Sequence, residues 1–238
     1  MHSTTIFCFA LLAVSACGSD PAPSSPEPTG DISADTGDLP EILITVSPYL
    51  QHVETDSAWI LWEGLEEGPA WVEWGTSADL GQTATAAASA SGDGVLYEAQ
   101  LTGLSADTAY WYRAHTGATV SEVQRLRSAP DAESTAPFRL VAMSDMQRDD
   151  AHPTLFADIV QQGVIPWVQD NGDGALADEL SAVLIPGDLV DNGWLQSEWR
   201  DDFFLGGAPL FSQVPVYPVP GNHEGNSPLF FQYFHLPE

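Results

Sequence analysis

The stretch GDLVDNG, residues 187–193, follows directly on the apolar run AVLIP, residues 182–186. A short apolar run bounded by turn residues is typical of a buried strand. Two carboxylates, Asp188 and Asp191, come directly after this run and lie between two glycines. In sheets of parallel strands, functional sites lie at the carboxyl ends of the strands. We therefore expect further polar segments of this kind at the ends of neighbouring strands.

Two similar segments flank it. Residues 138–143 (FRLVAM) end in Ser144-Asp145-Met146-Gln147, and residues 214–219 (VPVYPV) are followed by Gly221-Asn222-His223-Glu224. Residues 153–168 carry apolar side chains at helical spacing, and so do Leu195, Trp199 and Phe203. This alternation predicts three parallel strands joined by helices, with the three polar segments at one edge of the sheet.

These polar segments carry groups suited to metal binding and proton transfer. The candidate metal ligands are carboxylate and amide oxygens, from Asp145, Gln147, Asp188 and Asn222. A carboxylate shared by two cations holds them at the roughly 3.5–4 Å that two-metal hydrolysis requires. His223 is a candidate proton donor beside the metals, and Asp191 is placed to orient and charge it.

The three segments resemble the first three blocks of the calcineurin-like metallophosphoesterases, which include the purple acid phosphatases. Those blocks are Asp-x-His, Gly-Asp-x-x-Asp-x-Gly and Gly-Asn-His-Glu/Asp. The resemblance implies an α/β/β/α sandwich that hydrolyses small phosphoesters with two metal ions (Fe, Zn or Mn) and a metal-bound hydroxide. It implies that Asp145 binds one metal, Asp188 bridges both and Asn222 binds the second. His223, assisted by Asp191, then stabilises the phosphoryl group or protonates the leaving oxygen.

The sequence departs from the family pattern in ways that leave an alternative open. Gln147 stands where the first block has His, and the two later family blocks, Val-x-x-His and Gly-His-x-His, do not follow His223. We therefore expect residues 131–238 to be the first half of the catalytic domain, truncated, with the apolar residues 229–236 lacking a covering layer. The alternative is a non-catalytic surface binding lipoprotein or an inactive remnant of such an enzyme.

Residues 41–130 contain short β-rich runs separated by turn signals, which predicts an all-β sandwich. The segment LTGL (residues 101–104) followed by Thr108-x-Tyr110-x-Tyr112 resembles the fibronectin type III pattern with its tyrosine corner. The opening SPYLQ (47–51) and the run VEWGT (72–76) resemble the N-terminal domain of purple acid phosphatases. Residues 82–91, which are small and polar, are expected to form a loop with an edge strand.

The N-terminus indicates export. Residues 6–16 form an apolar run of signal-peptide length, too short to span a bilayer, so residues 1–16 are predicted to be a signal peptide. Val14-Ser15-Ala16-Cys17 resembles a bacterial lipobox, which implies lipidation of Cys17 and a periplasmic or cell-surface lipoprotein of the cell envelope. Cleavage near Ala16 that leaves a free cysteine is the alternative. Residues 17–40, acidic and rich in Pro and Ser, are predicted to be a disordered linker.

Composition excludes several classes of protein. The 238 residues include 34 acids and only six bases, all arginines, for a net charge of −28. Nucleic-acid and anionic-membrane surfaces need clustered cations, so we expect no nucleic-acid partner and membrane contact only through the lipid anchor. The only cysteines, Cys8 and Cys17, lie in the first 17 residues, which excludes a disulfide scaffold. The oligomeric state stays open.

Overall fold

The computed structural model describes residues 39–236. The predicted signal peptide, Cys17 and nearly all of the predicted linker lie outside this range. Twelve strands and a set of short helices are found within it. The strands are β1 (Ile44–Gln51), β2 (Ser57–Gly64), β3 (Ala70–Gly75), β4 (Gln82–Thr85), β5 (Ala87–Ser91), β6 (Gly94–Thr102), β7 (Ala109–Thr116), β8 (Thr119–Val120), β9 (Gln124–Arg127), β10 (Leu140–Ala142), β11 (Ala182–Ile185) and β12 (Val216–Pro218).

The first nine strands form the predicted all-β sandwich. One sheet has the order β1-β2-β6-β5, and the other has the order β4-β3-β7-β8 with β9 paired to β7, all antiparallel. Tyr110 makes the expected tyrosine corner, because its hydroxyl accepts a hydrogen bond from Ser105 N at 2.8 Å. The prediction for residues 82–91 was incomplete: they form two strands, β4 and β5, in different sheets.

The last three strands form the predicted parallel sheet, in the order β10-β11-β12. Leu140 is paired with Ala182, and Val183 with Val216. The connections are helical, as expected for parallel neighbours. The helices are α1 (Leu155–Asp158), α2 (Ile165–Asn171), α3 (Leu176–Glu179), α4 (Gln196–Glu198), α5 (Leu205–Phe211) and α6 (Pro228–Tyr233), with π-helical turns at Ile159–Val164 and Trp199–Phe204.

The helical spacing of the sequence predicted the buried faces only in part. Phe156 and Val160 are buried as expected, whereas Leu155 and Ile159 are about half exposed. The π-helical turn that begins at Ile159 widens the helix, so an extrapolation at 3.6 residues per turn loses the face. In the second connection Trp199 and Phe203 are buried, whereas Leu195 precedes α4 and is exposed.

The sandwich and the α/β part share one hydrophobic core. Tyr49 and Leu61 of the sandwich belong to the same buried cluster as Trp199 and Phe203. Hydrogen bonds reinforce this contact: the Tyr49 hydroxyl donates to the carbonyl of Tyr233 at 2.7 Å. The described residues, 39–236, accordingly lie in one compact unit.

The expectation that residues 229–236 lack a covering layer was wrong. Leu229, Phe230, Tyr233 and Phe234 are buried in the shared core, and only Phe231 of the apolar residues in α6 is more than half exposed. Two parts of the molecule supply the covering layer. Phe230 and Phe234 pack on Trp199 of the π-helical turn, and Tyr233 is hydrogen-bonded to Tyr49 and Glu63 of the sandwich. Over residues 39–236, no helix is both long and apolar enough to cross a membrane.

Candidate metal centre

The three polar segments meet at the carboxyl ends of β10, β11 and β12. Met146 N donates to the carbonyl of Asp188 at 3.0 Å, which joins the first segment to the second. His223 N donates to Asp188 Oδ1 at 3.1 Å, which joins the third segment to the second. Asp188 is thus the residue at which all three segments are joined.

Asp145 and Asp188 share an unusual backbone conformation. Their φ angles are +55° and +56°, in the left-handed region that costs a non-glycine residue about 1–2 kcal/mol. Aspartate tolerates this region better than most residues do, and strain of this kind is concentrated at functional sites. The two candidate metal ligands therefore turn off their strands in the same way.

Two glycines allow the second and third segments to approach closely. Gly187 has a φ of +107°, and a Cβ placed on it would lie 2.9 Å from the Cα of Gly221. A Cβ on Gly221 would lie 2.1 Å from Asp188 Oδ1 and 2.5 Å from Asp188 N. Since no real Cβ fits at these distances, glycine at both positions is what permits the Asp188 carboxylate to lie against the third segment.

Glu224 fixes this approach. Its side chain is fully buried and accepts backbone hydrogen bonds from Asp188 at 3.1 Å and Leu189 at 2.7 Å. It also accepts from Val190 and, across the gap, from Gly221. One carboxylate thus ties the turn after β11 to the turn after β12. The sequence analysis assigned Glu224 no role, and the only signal for it was the acidic last position of the third block.

His223 and Asp191, the predicted catalytic pair, are in contact. His223 Nδ1 lies 2.8 Å from the backbone carbonyl of Asp191 and 3.3 Å from its Oδ1. A carbonyl only accepts, so Nδ1 carries a proton and Nε2 is left for a ligand. That backbone hydrogen bond raises the pKa of His223 above its usual value. Burial opposes this shift, and the charges of Asp188, Asp191 and Glu224 add to it.

Gln147 carries an oxygen suited to a cation. Its Oε1 is buried and accepts no hydrogen bond in the described part of the chain. A buried acceptor without a donor is costly unless a water or an ion meets it. Gln147 and Asp145 line the same cavity of about 360 Å³. This orphaned oxygen, with the fixed Asp188 carboxylate, shows that the donor set fits a hard, oxygen-preferring cation.

The donor set nevertheless differs from a histidine-rich centre. Among the described residues, no group of three or more His, Cys, Asp and Glu side chains is placed to hold a metal ion. Asn222 is exposed in the turn after β12, and it and Gln147 would supply neutral oxygens beside the two aspartates. Such a site would bind cations more weakly than one built from imidazole and carboxylate ligands.

Comparisons with known proteins show what this chain is similar to. The model of the calcineurin-like phosphoesterase family matches residues 138–238. No curated protein matches the chain. Among solved structures, PhoD is similar over 75% of this chain, with 13% identity and a TM-score of 0.49.

Two further structures match a smaller share of the chain. The fn3 domain of human collagen alpha-1(XX) covers 45% of this chain at 18% identity, with a TM-score of 0.23 over its whole length. The sensor domain of the anti-sigma factor RsgI4 of Pseudobacteroides cellulosolvens covers 42% at 13% identity, with a TM-score of 0.32, also over its whole length.

The chain spans 39% of the length of the PhoD structure that it resembles. The family assignment depends instead on the match to residues 138–238, which contains all three polar segments and the parallel sheet that presents them. Residues 138–238 therefore match the calcineurin-like phosphoesterase family.

Proposed function

We propose that this chain is part of a phosphoester hydrolase, which uses two bound metal ions to hydrolyse small phosphoesters. The observation that carries the proposal is the junction at Asp188, where the turns after all three parallel strands are hydrogen-bonded together. The family of residues 138–238 supports a phosphoesterase over other metal-dependent reactions.

Each site residue has a part in this proposal. The residues that would hold the metals are Asp145, Gln147, Asp188 and Asn222. When bound, two cations of the Fe, Zn or Mn type supply positive charge for the phosphoryl oxygens and acidify a water molecule for attack at phosphorus.

His223 is the proposed proton donor. Its Nδ1 proton is held by the Asp191 carbonyl, so Nε2 is the atom that faces a substrate. Because the neighbouring carbonyl and carboxylates raise the pKa of His223, the imidazolium form is favoured. Nε2–H can then donate to a phosphoryl oxygen or to the leaving oxygen.

The test is hydrolysis of 4-nitrophenyl phosphate by the full chain, loaded in turn with Fe, Zn or Mn. Asp188→Asn keeps the shape and removes the charge, and we expect it to lower the rate by two orders of magnitude or more and to reduce the bound metal. Asp170→Asn, an exposed aspartate in α2, is the matched control. Hydrolysis that is absent with every metal, or unchanged in Asp188→Asn, contradicts the proposal.

A second function, a binding protein without catalysis, is favoured by the sparse donor set. The predicted ligands are two carboxylates and two amides, and one of the amides, Gln147, stands where the family pattern has a histidine. Among the described residues, no group of three or more His, Cys, Asp and Glu side chains is placed to hold a metal ion. Metal analysis after dialysis separates the two proposals. Retention of about two ions per chain supports the enzyme, and retention of none supports the binding protein.

We also propose that the protein is exported and held at the cell envelope by a lipid on Cys17. The support is the sequence alone: the apolar run of residues 6–16 and the lipobox-like residues 14–17. Globomycin-sensitive processing and a mass gain from acyl chains, both lost in Cys17→Ser, are the expected results. Release of an unmodified protein into the medium would contradict this proposal.

A further inference from the structure

Arg148 differs from the other five arginines of the chain. Each of those five donates a hydrogen bond to a carboxylate: Arg113 to Glu73, Arg125 and Arg127 to Asp178, Arg139 to Glu179, and Arg200 to Glu63. Arg148 has only a contact of 3.6 Å with Asp202, which is beyond hydrogen-bond distance. Among the described residues, Arg148 is therefore the one arginine that donates no hydrogen bond to a carboxylate.

Arg148 borders both the candidate metal centre and the partner of the proton donor His223. Arg148 directly follows Gln147 in the chain and lines the cavity of Asp145 and Gln147. It also lines a second, more polar cavity of about 300 Å³ that includes Asp191, the partner of His223. The side chain is about half exposed, so a ligand can reach it.

Arg148 is surrounded by acidic residues, so its positive charge is needed to attract a phosphate. Five acidic residues line the polar cavity with Arg148 as the only basic one: Asp150, Asp191, Glu198, Asp201 and Asp202. In a chain of net charge −28, a doubly charged phosphate would be repelled from such a mouth.

We infer that Arg148 binds the phosphoryl group of the substrate and gives the site a preference for phosphomonoesters. A guanidinium presents two parallel N–H donors that match two oxygens of a phosphate. A monoester has three non-bridging oxygens and two negative charges, whereas a diester has two such oxygens and one charge. An additional cationic contact therefore favours the monoester. The preference for monoesters in catalysis rests on the proposed function, whereas the binding of phosphate by Arg148 does not.

The first test is equilibrium binding of inorganic phosphate to the full chain by calorimetry, with and without Mn. Arg148→Gln should weaken binding by about tenfold or more, and Arg148→Lys by less, because the point charge is kept and the fork is lost. Arg113→Gln, in the sandwich, makes the same change in net charge and should bind phosphate like the unaltered protein. Equal affinity in Arg148→Gln and the unaltered protein, or no phosphate binding at all, overturns the inference.

The second test compares 4-nitrophenyl phosphate with bis(4-nitrophenyl) phosphate. Arg148→Gln should raise KM for the monoester and lower the ratio of the two kcat/KM values by about tenfold, with kcat less affected. An equal loss on both substrates would overturn the preference for monoesters. Phosphate binding that depends on Arg148 without hydrolysis would contradict the proposed function alone, whereas hydrolysis with phosphate binding indifferent to Arg148 would contradict this inference alone.

Discussion

The Glu63 carboxylate, on β2 of the sandwich, accepts a hydrogen bond from the guanidinium of Arg200, in the phosphoesterase domain. Glu63 is fully buried, and it also accepts from Thr45 at 2.7 Å, Gln196 at 2.8 Å and Tyr233 at 2.6 Å. Arg200 Nη1 also lies 2.8 Å from Oδ1 of Asp93, which is exposed. A single buried acid thus joins donors from both halves of the molecule.

Glu63→Gln is expected to destabilise the protein strongly. Removal of one partner of a buried ion pair costs about 3–5 kcal/mol, because the other charge is left buried without compensation. The free energy of unfolding in urea is the measurement. Asp93→Asn removes the exposed partner of the same arginine and should cost less than about 1 kcal/mol. Similar losses in the two variants would contradict a special role for the buried carboxylate.

Glu224→Gln is expected to loosen the site. The amide has one acceptor oxygen where the carboxylate had two, and its NH₂ group would face backbone donors. A loss of about 2–3 kcal/mol in the free energy of unfolding is expected, together with weaker metal binding. Glu198→Gln is the control, because Glu198 accepts a single backbone N–H, from Asn192 at 2.6 Å. Metal affinity that is unchanged in Glu224→Gln would show that the tie between the two turns is dispensable.

Gly221→Ala tests the close approach of the second and third segments. The new methyl group would lie 2.1 Å from Asp188 Oδ1, so that carboxylate or the backbone must shift. We expect a lower melting temperature and reduced metal content. Gly163→Ala is the matched control: no atom lies within 4 Å of its added Cβ, and alanine in a helical turn gains up to about 1 kcal/mol over glycine. Normal metal content in Gly221→Ala would mean that the segments have room to separate.

Glu73 gives a prediction of pH dependence in the sandwich. Burial pushes the pKa of its carboxyl upward, but the hydrogen bonds from Arg113 and His115, with their charges, bring the net pKa below its ordinary value. A lowered folded-state pKa adds stability above the unfolded-state pKa of about 4.3, and this contribution is lost as the pH falls through the folded-state value.

In Glu73→Gln the contribution is absent at every pH. The unaltered protein should therefore exceed this variant by about 0.5–1 kcal/mol at neutral pH, since the pair is partly exposed, and the difference should shrink below about pH 4. Urea unfolding at several pH values measures it, with the exposed Glu122→Gln as control. A difference that stays constant down to about pH 3 would contradict the assigned sign.

Much of the architecture could be predicted because it depends on local pattern. The apolar runs before Asp145, Asp188 and Asn222 became parallel strands, and Tyr110 made its corner, since strand period and turn chemistry are written in neighbouring residues. The family assignment followed from the same segments. The ligand roles of these residues stay predictions.

The contacts between distant parts of the chain could not be predicted. Glu63 lies buried in β2, and three of its partners, Gln196, Arg200 and Tyr233, come from more than 130 positions away in the sequence. The burial of Phe230 and Phe234 against Trp199, in the π-helical turn more than 30 residues earlier, was missed for the same reason. Hydrophobic periodicity reports which face of an element is apolar and does not report what covers it.

The shared core also limits how the molecule can move. Domains joined by small, polar contacts commonly open and close as hinged bodies, whereas a large apolar junction resists such motion. Here Tyr49 and Leu61 are packed in one cluster with Trp199 and Phe203, and the tie through Glu63 is buried beside them. A hinge between the sandwich and the sheet would have to break this cluster. In the proposed function, a ligand would therefore reach Asp145 and His223 with the sandwich as a fixed support.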